Sequence, residues 1–304
     1  MKKLKGAALI ILLLVLPAIS FSDMCGDVNA DLTVNIFDIN YLISYLYEGG
    51  PAPDCDSSGY YYNCADVNYD SLINLQDITY IISYLYLEGP EPDCGTTGIM
   101  TDIDDNQYQT IKIGNQWWMA ENLKVTRYRN GSSIPNVTDS ATWDTITTGA
   151  YCEYNNDSSL VSIYGRLYNW YTTVDSNILA PAGWHVPSDS EWQVLEIYLG
   201  MDSADAYAGG WRGTDEGGKL KEADTAHWDS PNTGATNESG FTALPAGYRF
   251  ETGKYDNIYL TALFRTITEY GSGTAGRNLS RVHSDIYRDW YYDNYGMSVR
   301  CVKD

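Results

Sequence analysis

Cys25-Gly-Asp-Val-Asn-Ala-Asp-Leu-Thr-Val-Asn-Ile-Phe-Asp-Ile39 returns as Cys64-Ala-Asp-Val-Asn-Tyr-Asp-Ser-Leu-Ile-Asn-Leu-Gln-Asp-Ile78 at one constant offset. Both copies continue into Tyr-Leu/Ile-Ile-Ser-Tyr-Leu-Tyr and close on Gly-Pro-x-Pro-Asp-Cys. A repeat this dense is a duplicated supersecondary unit. Oxygen-bearing side chains fall at loop positions 1, 3, 5, 9 and 12. They are Asp27, Asn29, Asp31, Asn35 and Asp38 in the first copy, and Asp66, Asn68, Asp70, Asn74 and Asp77 in the second. Position 7, Thr33 or Leu72, offers a backbone carbonyl. A hard cation such as Ca²⁺ takes six to eight oxygens at flexible spacing, and Mg²⁺ demands a tighter octahedron, so two calcium ions are expected. The plainer alternative is a pair of Asx-rich turns without metal. Position 6, where such loops turn on glycine, is Leu32 or Ser71. A left-handed ordinary residue costs roughly 1–2 kcal/mol, which points to modest affinity.

After each loop the apolar residues recur at helical spacing: Ile39, Leu42, Ile43 and Leu46, then Ile78, Ile81, Ile82 and Leu85. Two such helices can bury one stripe against the other. A unit this small needs staples, here two cations and two disulfides. Cys25/Cys55 with Cys64/Cys94 is the symmetric pairing, and Cys25/Cys94 with Cys55/Cys64 is the rival. Metal binding then belongs to folding, because the empty loop holds mutually repelling carboxylates.

The twin Asp-Val-Asn-x-Asp-x-x-x-Asn-x-x-Asp-Ile loops resemble the type I dockerin module, over residues 23–96. That resemblance implies a small all-α, EF-hand-like fold and docking to a cohesin-like protein domain. It also implies that positions 10 and 11 of each loop read the partner, here Ile36, Phe37, Leu75 and Gln76. The best-known versions carry Ser or Thr there, and they lack the flanking cysteines.

The rest of the composition sets the setting. The chain has 304 residues, a net charge of −21, and Tyr 27 and Trp 9 against Phe 5. So acidic a chain is a poor partner for nucleic acid, which needs clustered Lys and Arg. Aromatics with a polar handle suit half-wet surfaces. Lys2, Lys3 and Lys5 precede the apolar run from Ala7 to Leu16 and a small-residue tail ending at Ser22, so 1–22 reads as a secretory signal peptide. The apolar run is about ten residues where a membrane span needs ~20, so no span is expected after cleavage. The mature protein is then secreted or on the cell surface, in an oxidising medium.

Gly95-Thr-Thr-Gly98 reads as a joint, with 97–100 as linker and 101–304 as a second domain. Tyr108–Ile113 alternates as a strand, and Ser188-Asp-Ser-Glu191 is a capping box that opens a helix bearing Trp192, Leu195 and Leu199. Asp102, Asp104 and Asp105 read as a solvated turn. Elsewhere the composition suits short strands joined by long loops. Cys152 and Cys301 are expected as a disulfide, with a free reactive thiol as the alternative. Ile113-Gly-Asn-Gln-Trp-Trp-Met-Ala-Glu-Asn-Leu123, Tyr164-Gly-Arg-Leu-Tyr-Asn-Trp-Tyr171, Pro181-Ala-Gly-Trp-His-Val-Pro187 and Ser298-Val-Arg-Cys-Val-Lys-Asp304 resemble the Fibrobacter succinogenes major paralogous (FISUMP) domain. The resemblance implies a C-type-lectin-like α+β fold. Phe264-Arg-Thr-Ile-Thr268 and Arg277-Asn-Leu-Ser-Arg281 depart from that family's aromatic strings, altering any surface those strings would build.

His185, His227 and His283 lack the accompanying residues of a hydrolase or zinc motif, and nothing singles out a carboxylate pair among so many acids. No catalysis is therefore expected. Binding is the sharper reading: Trp211, Trp228, Tyr287, Trp290, Tyr291 and Tyr292 stand in polar contexts as candidate contacts for a glycan or protein ligand. Trp117, Trp170, Trp184 and Trp192 are read as core. The whole then reads as a secreted, non-catalytic anchoring protein, within polysaccharide degradation, or alternatively as a structural surface protein whose calcium loops only stabilise it.

Overall fold

Each acidic loop hands over to a helix because its position 9 is an asparagine able to cap it. Asn35 Oδ1 accepts from the Phe37 amide and Asn74 Oδ1 from the Gln76 amide, both at 2.7 Å. These caps open α1 (Ile36–Ile43) and α2 (Leu75–Tyr86). Asp38 and Asp77 complete each capping box by accepting from the Asn35 and Asn74 amides at 2.7 and 2.8 Å. The computed structural model describes residues 25–304 except 30, 32, 54–63, 68–71, 90–91 and 93–96. The expected signal peptide 1–22 lies outside the described residues. The chain divides into two compact units, parting between residues 95 and 96.

The first unit is helical. Ile39 and Leu42 of α1 meet Ile78 and Ile81 of α2 over Val28, Ala65 and Val67. Burying each Ile or Leu is worth ~1.5–3 kcal/mol before chain entropy is counted. Of the remaining stripe residues, Leu46 and Leu85 pack at the edge, while Ile43 and Ile82 are 36% exposed. The two copies differ at their ends. After α1 the backbone widens into a π-helical turn, Ser44–Glu48, stopped by Gly49 at φ 72, whereas α2 stays regular to Tyr86.

The second unit mixes strands and short helices. Its strands are β1 (Thr97–Thr101), β2 (Gln107–Ile113), β3 (Gln116–Met119), β4 (Tyr151–Cys152), β5 (Leu167–Tyr168), β6 (Trp184–His185), β7 (Gly210–Arg212), β8 (Ala246–Arg249), β9 (Tyr255–Ile258), β10 (Thr261–Tyr270), β11 (Gly273–Ser280), β12 (Ile286–Tyr291) and β13 (Val302–Lys303). They form sheets in the orders β1-β2-β3-β13-β6, β7-β12-β11-β10-β8-β9 and β4-β5. The helix after the Ser188 capping box, α3, runs Asp189–Tyr198. Residues 97–100, expected as linker, instead form most of β1, the edge strand antiparallel to β2. The expectation of short strands fails at β10 and β11, where a long antiparallel ribbon runs past a register shift between Arg265 and Glu269.

The C-terminal run joins all three sheets. Met297 bridges Tyr168, Ser298 bridges Phe264, and Val302 pairs with both Trp118 and His185. Beneath it Trp118, Trp192, Phe241 and Phe264 contact one another at ring separations of 5.0–5.8 Å. Trp117, Trp184 and Trp192 are buried as expected, while Trp170 is half-buried.

The disulfide expectation is corrected for Cys152 and Cys301. Cys152 and Cys301 are both free and buried. They lie in separate surroundings: Cys152 packs with Trp143, Ala150, Tyr154 and Leu167, and Cys301 pairs through its backbone with Met119. Burial pushes the Cys152 thiol up to about 11 and Cys301 further still, so the reactive-thiol alternative fails too. Cys25 and Cys64 are disulfide-bonded, and Cys55 and Cys94, their expected partners in either pairing, lie outside the described residues.

Candidate functional site

In the first loop the expected ligands draw together. The Asp31 amide donates to Asp27 Oδ1 and to Asn29 Oδ1, both at 3.0 Å. Asp31 Oδ1 accepts from the Thr33 amide at 3.1 Å and the Thr33 hydroxyl at 2.7 Å. Asn35 Nδ2 turns back to the Thr33 carbonyl at 3.2 Å. The Thr33 hydroxyl foremost, with the Asn29 and Asn35 amides, holds the Asp31 carboxyl below its ordinary range. The oxygens at positions 1, 3, 5 and 7 are thus tied into one hydrogen-bonded loop, and oxygen is the donor type a hard cation takes. Positions 9 and 12 also shape the backbone: Asn35 Oδ1 caps α1, and Asp38 accepts from the Val28, Asn29 and Asn35 amides at 2.8, 3.2 and 2.7 Å. Burial pushes the Asp38 carboxyl up. The second loop repeats the frame through Asp77, which accepts from the Val67 and Asn74 amides, and Asp66 is buried as Asp27 is. Leu72 is exposed, with its carbonyl 3.5 Å from Asn74 Nδ2. Asn68 and Asp70 lie outside the described residues. No group of three His, Cys, Asp or Glu side chains able to hold a metal forms among the described residues.

The expected docking positions stand on the first turn of each helix, facing water. Ile36, Phe37 and Leu75 are 44%, 63% and 55% exposed, and Gln76 is exposed beside Leu75. Their placement follows from the caps. With Asn35 and Asn74 fixed and Asp38 and Asp77 turned inward, the two residues between have nowhere to point but out.

Each histidine of the second unit has a carboxylate partner, none with a nucleophile. His185 bridges Glu191 Oε1 at 2.5 Å and Asp304 Oδ1 at 2.7 Å. The Glu191 hydrogen bond first, then Asp304, raises it to about 9, so it is an imidazolium at neutral pH and unfit as a general base. His227 and His283 pair with Glu222 and Asp285 at 2.8 and 3.0 Å. Because the folded value of His185 exceeds the unfolded one, its contribution to stability is complete below pH ~6.5 and disappears as pH rises through ~9. Replacing His185 with Gln is expected to flatten that part of the pH–stability curve, measured by urea unfolding from pH 6 to 10. An unchanged slope would contradict it.

The aromatic candidates divide. Trp228 is corrected: it is 1% exposed, its Nε1 donates to the Ala243 carbonyl at 3.0 Å, and Lys221 Nζ lies 5.5 Å from its ring. Trp211 and Tyr287 come together as direct cross-strand partners on β7 and β12, with rings 5.1 Å apart. Trp211 is 39% exposed and stacks on His283 at 3.6 Å and 7°. Tyr291 and Tyr292 both meet Tyr295, at 5.8 and 6.1 Å, and Trp290 is half-buried with its ring 5.3 Å from Tyr292. Clefts of about 530 Å³ beside Tyr198 and Lys219, and of about 260 Å³ beside Asp102 and Arg129, contain none of these candidates. Asp102, expected in a solvated turn, is buried and accepts from the Asp104 and Asn106 amides and the Tyr108 hydroxyl.

One feature of the second unit escapes the sequence reading. Arg277 and Arg288 face each other across β11 and β12, both buried. Two guanidiniums so placed repel unless an anion lies between. Asp189, at the start of α3, is that anion, accepting from Arg277 Nη1 at 2.7 Å and Arg288 Nη2 at 2.7 Å. Glu196, on the same face of α3, takes Arg277 Nε at 2.6 Å and Arg212 Nη2 at 2.9 Å. Burial alone would raise the Asp189 carboxyl, but Arg288 and Arg277 bring it below its ordinary range. The Arg277 string, expected at an altered surface, lies inside and fastens helix to sheet. Arg300 is likewise interior, over the Phe241 ring at 4.3 Å. Among the described residues, every Lys and Arg except Lys254 is buried or half-buried. The signal was legible in principle: Arg277 with Leu279, and Ile286 with Arg288, share the inward side of alternating strands.

Comparison with known families gives two matches. The profile of the Fibrobacter succinogenes major domain covers residues 111–303, and that of the dockerin type I domain covers residues 25–86. No curated protein and no solved structure is detectably similar to the chain.

Proposed function

The chain belongs to the Fibrobacter succinogenes major domain family, and with a dockerin type I domain ahead of that domain we propose that it is a secreted anchoring protein whose two halves bind different things. Both matched families are non-catalytic, and so is the chain. No helix among the described residues is long and apolar enough to cross a membrane. In this reading the first unit, EF-hand-like, takes a calcium ion in each loop. Asp27, Asn29, Asp31, the Thr33 carbonyl, Asn35 and Asp38 hold the first, and Asp66, Asn68, Asp70, the Leu72 carbonyl, Asn74 and Asp77 hold the second. Ile36, Phe37, Leu75 and Gln76 then present an apolar docking face to a cohesin-like domain. The second unit, C-type-lectin-like, carries the ligand-binding surface and places the assembly on extracellular glycan or protein, as in polysaccharide degradation.

The observation that carries this reading is the outward placement of Ile36, Phe37 and Leu75 on duplicated, identically capped helix starts. Apolar side chains held in water by a capping box are poor stabilisers of their own fold and good contacts for a partner. The full chain is expected to be retained by a cohesin-type domain in calcium and released by chelator. The paired substitution Phe37→Asp and Leu75→Asp is expected to weaken retention at least about a hundredfold, two apolar anchors being lost together. Equal retention of wild type and variant, or none in calcium, would leave the loops as stabilising elements of a surface protein.

A further inference from the structure

The rings that the sequence reading scattered are parts of one strip on the outer face of the six-stranded sheet. Strand alternation sorts this region cleanly. Ile286 and Arg288 of β12, with Arg277 and Leu279 of β11, face the interior and are buried. Tyr287, Asp289 and Tyr291 of β12, with Asn278 of β11, take the opposite face and are half-buried. Trp211, opposite Tyr287, extends that face to the edge strand β7, where Gly209 and Gly210 supply no side chain to cover it. Four residues of β12 carry the strip ~13 Å from Tyr287 to Tyr291. It continues through Tyr295 to Tyr248, whose rings are stacked 6.1 Å apart.

Two further properties narrow what the strip can take. Its rings are braced in place. Trp211 lies flat on His283, whose Nδ1 is tied to Asp285, and the Tyr287 hydroxyl donates to Asp289 Oδ2 at 2.8 Å. The Tyr248 hydroxyl accepts from Asn257 Nδ2 at 2.8 Å. Its charge has one sign. Asp285 and Asp289 flank the Trp211 end, and Asp256 and Glu251 neighbour the Tyr248 and Tyr295 end. The nearby arginines are engaged elsewhere: Arg265 donates to the Tyr292 and Tyr295 carbonyls from within the fold, and Arg281 to the Ser230 carbonyl.

We propose that this strip, running from Trp211 through Tyr287 and Tyr291 to Tyr295 and Tyr248, binds the chain of an uncharged polysaccharide by stacking successive sugar rings. The inference rests on the second unit being the ligand-binding half, and it supplies the ligand class. Braced aromatic faces match the apolar faces of pyranose rings, and the carboxylate, amide and phenol groups beside them accept and donate to ring hydroxyls. Carboxylates without a free cation repel uronate and sulfate polymers. A lysine-rich peptide would be drawn by the charge. It is held best where rings enclose a point, and here they lie side by side.

The test is native affinity electrophoresis of the full chain in gels containing hydroxyethylcellulose, arabinoxylan or galactomannan, with polygalacturonate and a fluorescent oligolysine peptide as contrasts. Retardation by at least one neutral polymer and none by polygalacturonate is expected. Trp211→Ala and Tyr287→Ala should each raise the apparent Kd by about tenfold, the loss of one aromatic stack. Trp211→Phe should recover most of it, and near-ultraviolet circular dichroism reports whether each variant is folded. Neutral-polymer binding that survives both alanine variants, in folded protein, overturns the strip and leaves the ligand-binding reading standing. So does binding confined to polygalacturonate or oligolysine. Binding to none of the probes overturns the strip and removes its support from that reading, while the cohesin retention assay stays independent of it.

Discussion

Arg277→Met is expected to lower the unfolding free energy of the second unit by about 3–5 kcal/mol, the cost of removing one partner from a buried ionic network. Methionine fills much of the space but leaves Asp189 and Glu196 each one donor short, in a place water does not reach. Arg288 still holds Asp189 and Arg212 still holds Glu196, so the fold survives while α3 loosens from β11. All nine tryptophans lie in the second unit, so urea unfolding followed by tryptophan emission reads this loss without interference from the first. Arg127→Ala is the contrast. Its partner Asp104 is at the surface side of a turn and Arg127 is 43% exposed, so a loss within about 1 kcal/mol is expected. Equal losses for the two variants would show that the interior network is not what holds the helix.

The second large effect is calcium on the first unit. An ion bound only by the folded loop stabilises by about 2.7 kcal/mol at a hundredfold excess over Kd and by about 4.1 kcal/mol at a thousandfold. Chelation should therefore reduce the helical circular dichroism from α1 and α2 while tryptophan emission stays unchanged, because the first unit contains no tryptophan. Asp31→Ala should remove one of two binding events in a calorimetric titration. A demetallated chain with undiminished helix signal and no heat on adding calcium would return the loops to plain Asx turns.

How much of this could be seen beforehand depends on how local its causes are. The helix starts at Asn35, Asn74 and Ser188 were legible because a capping box is a four-residue matter. The inward stripe of Ile39, Leu42, Ile78 and Ile81 follows from spacing alone. The hairpin around Gly114 and Asn115 is equally local and appears between β2 and β3. The failures are all long-range. Trp228 looks wet among His227, Asp229 and Ser230, yet its indole finds a carbonyl fifteen residues away. Cys152 and Cys301 invite pairing by number, and the fold sends them to different clusters. Arg277 reads as a surface residue until α3 is known to carry Asp189 and Glu196 to it. No window along the chain contains both halves of that bond.

The burial of Arg212, Lys221, Arg249, Arg265, Arg277, Arg288 and Arg300 has a consequence for crowds of this molecule. Among the described residues only a few basic side chains, Lys254 and Arg127 among them, reach well into water, so neighbouring copies present one another mainly with anions. In dilute salt they keep their distance. Raise the ionic strength, or add a divalent ion that bridges carboxylates, and the mutual avoidance falls away, so packing density on a surface is set by the medium as much as by the attachment point.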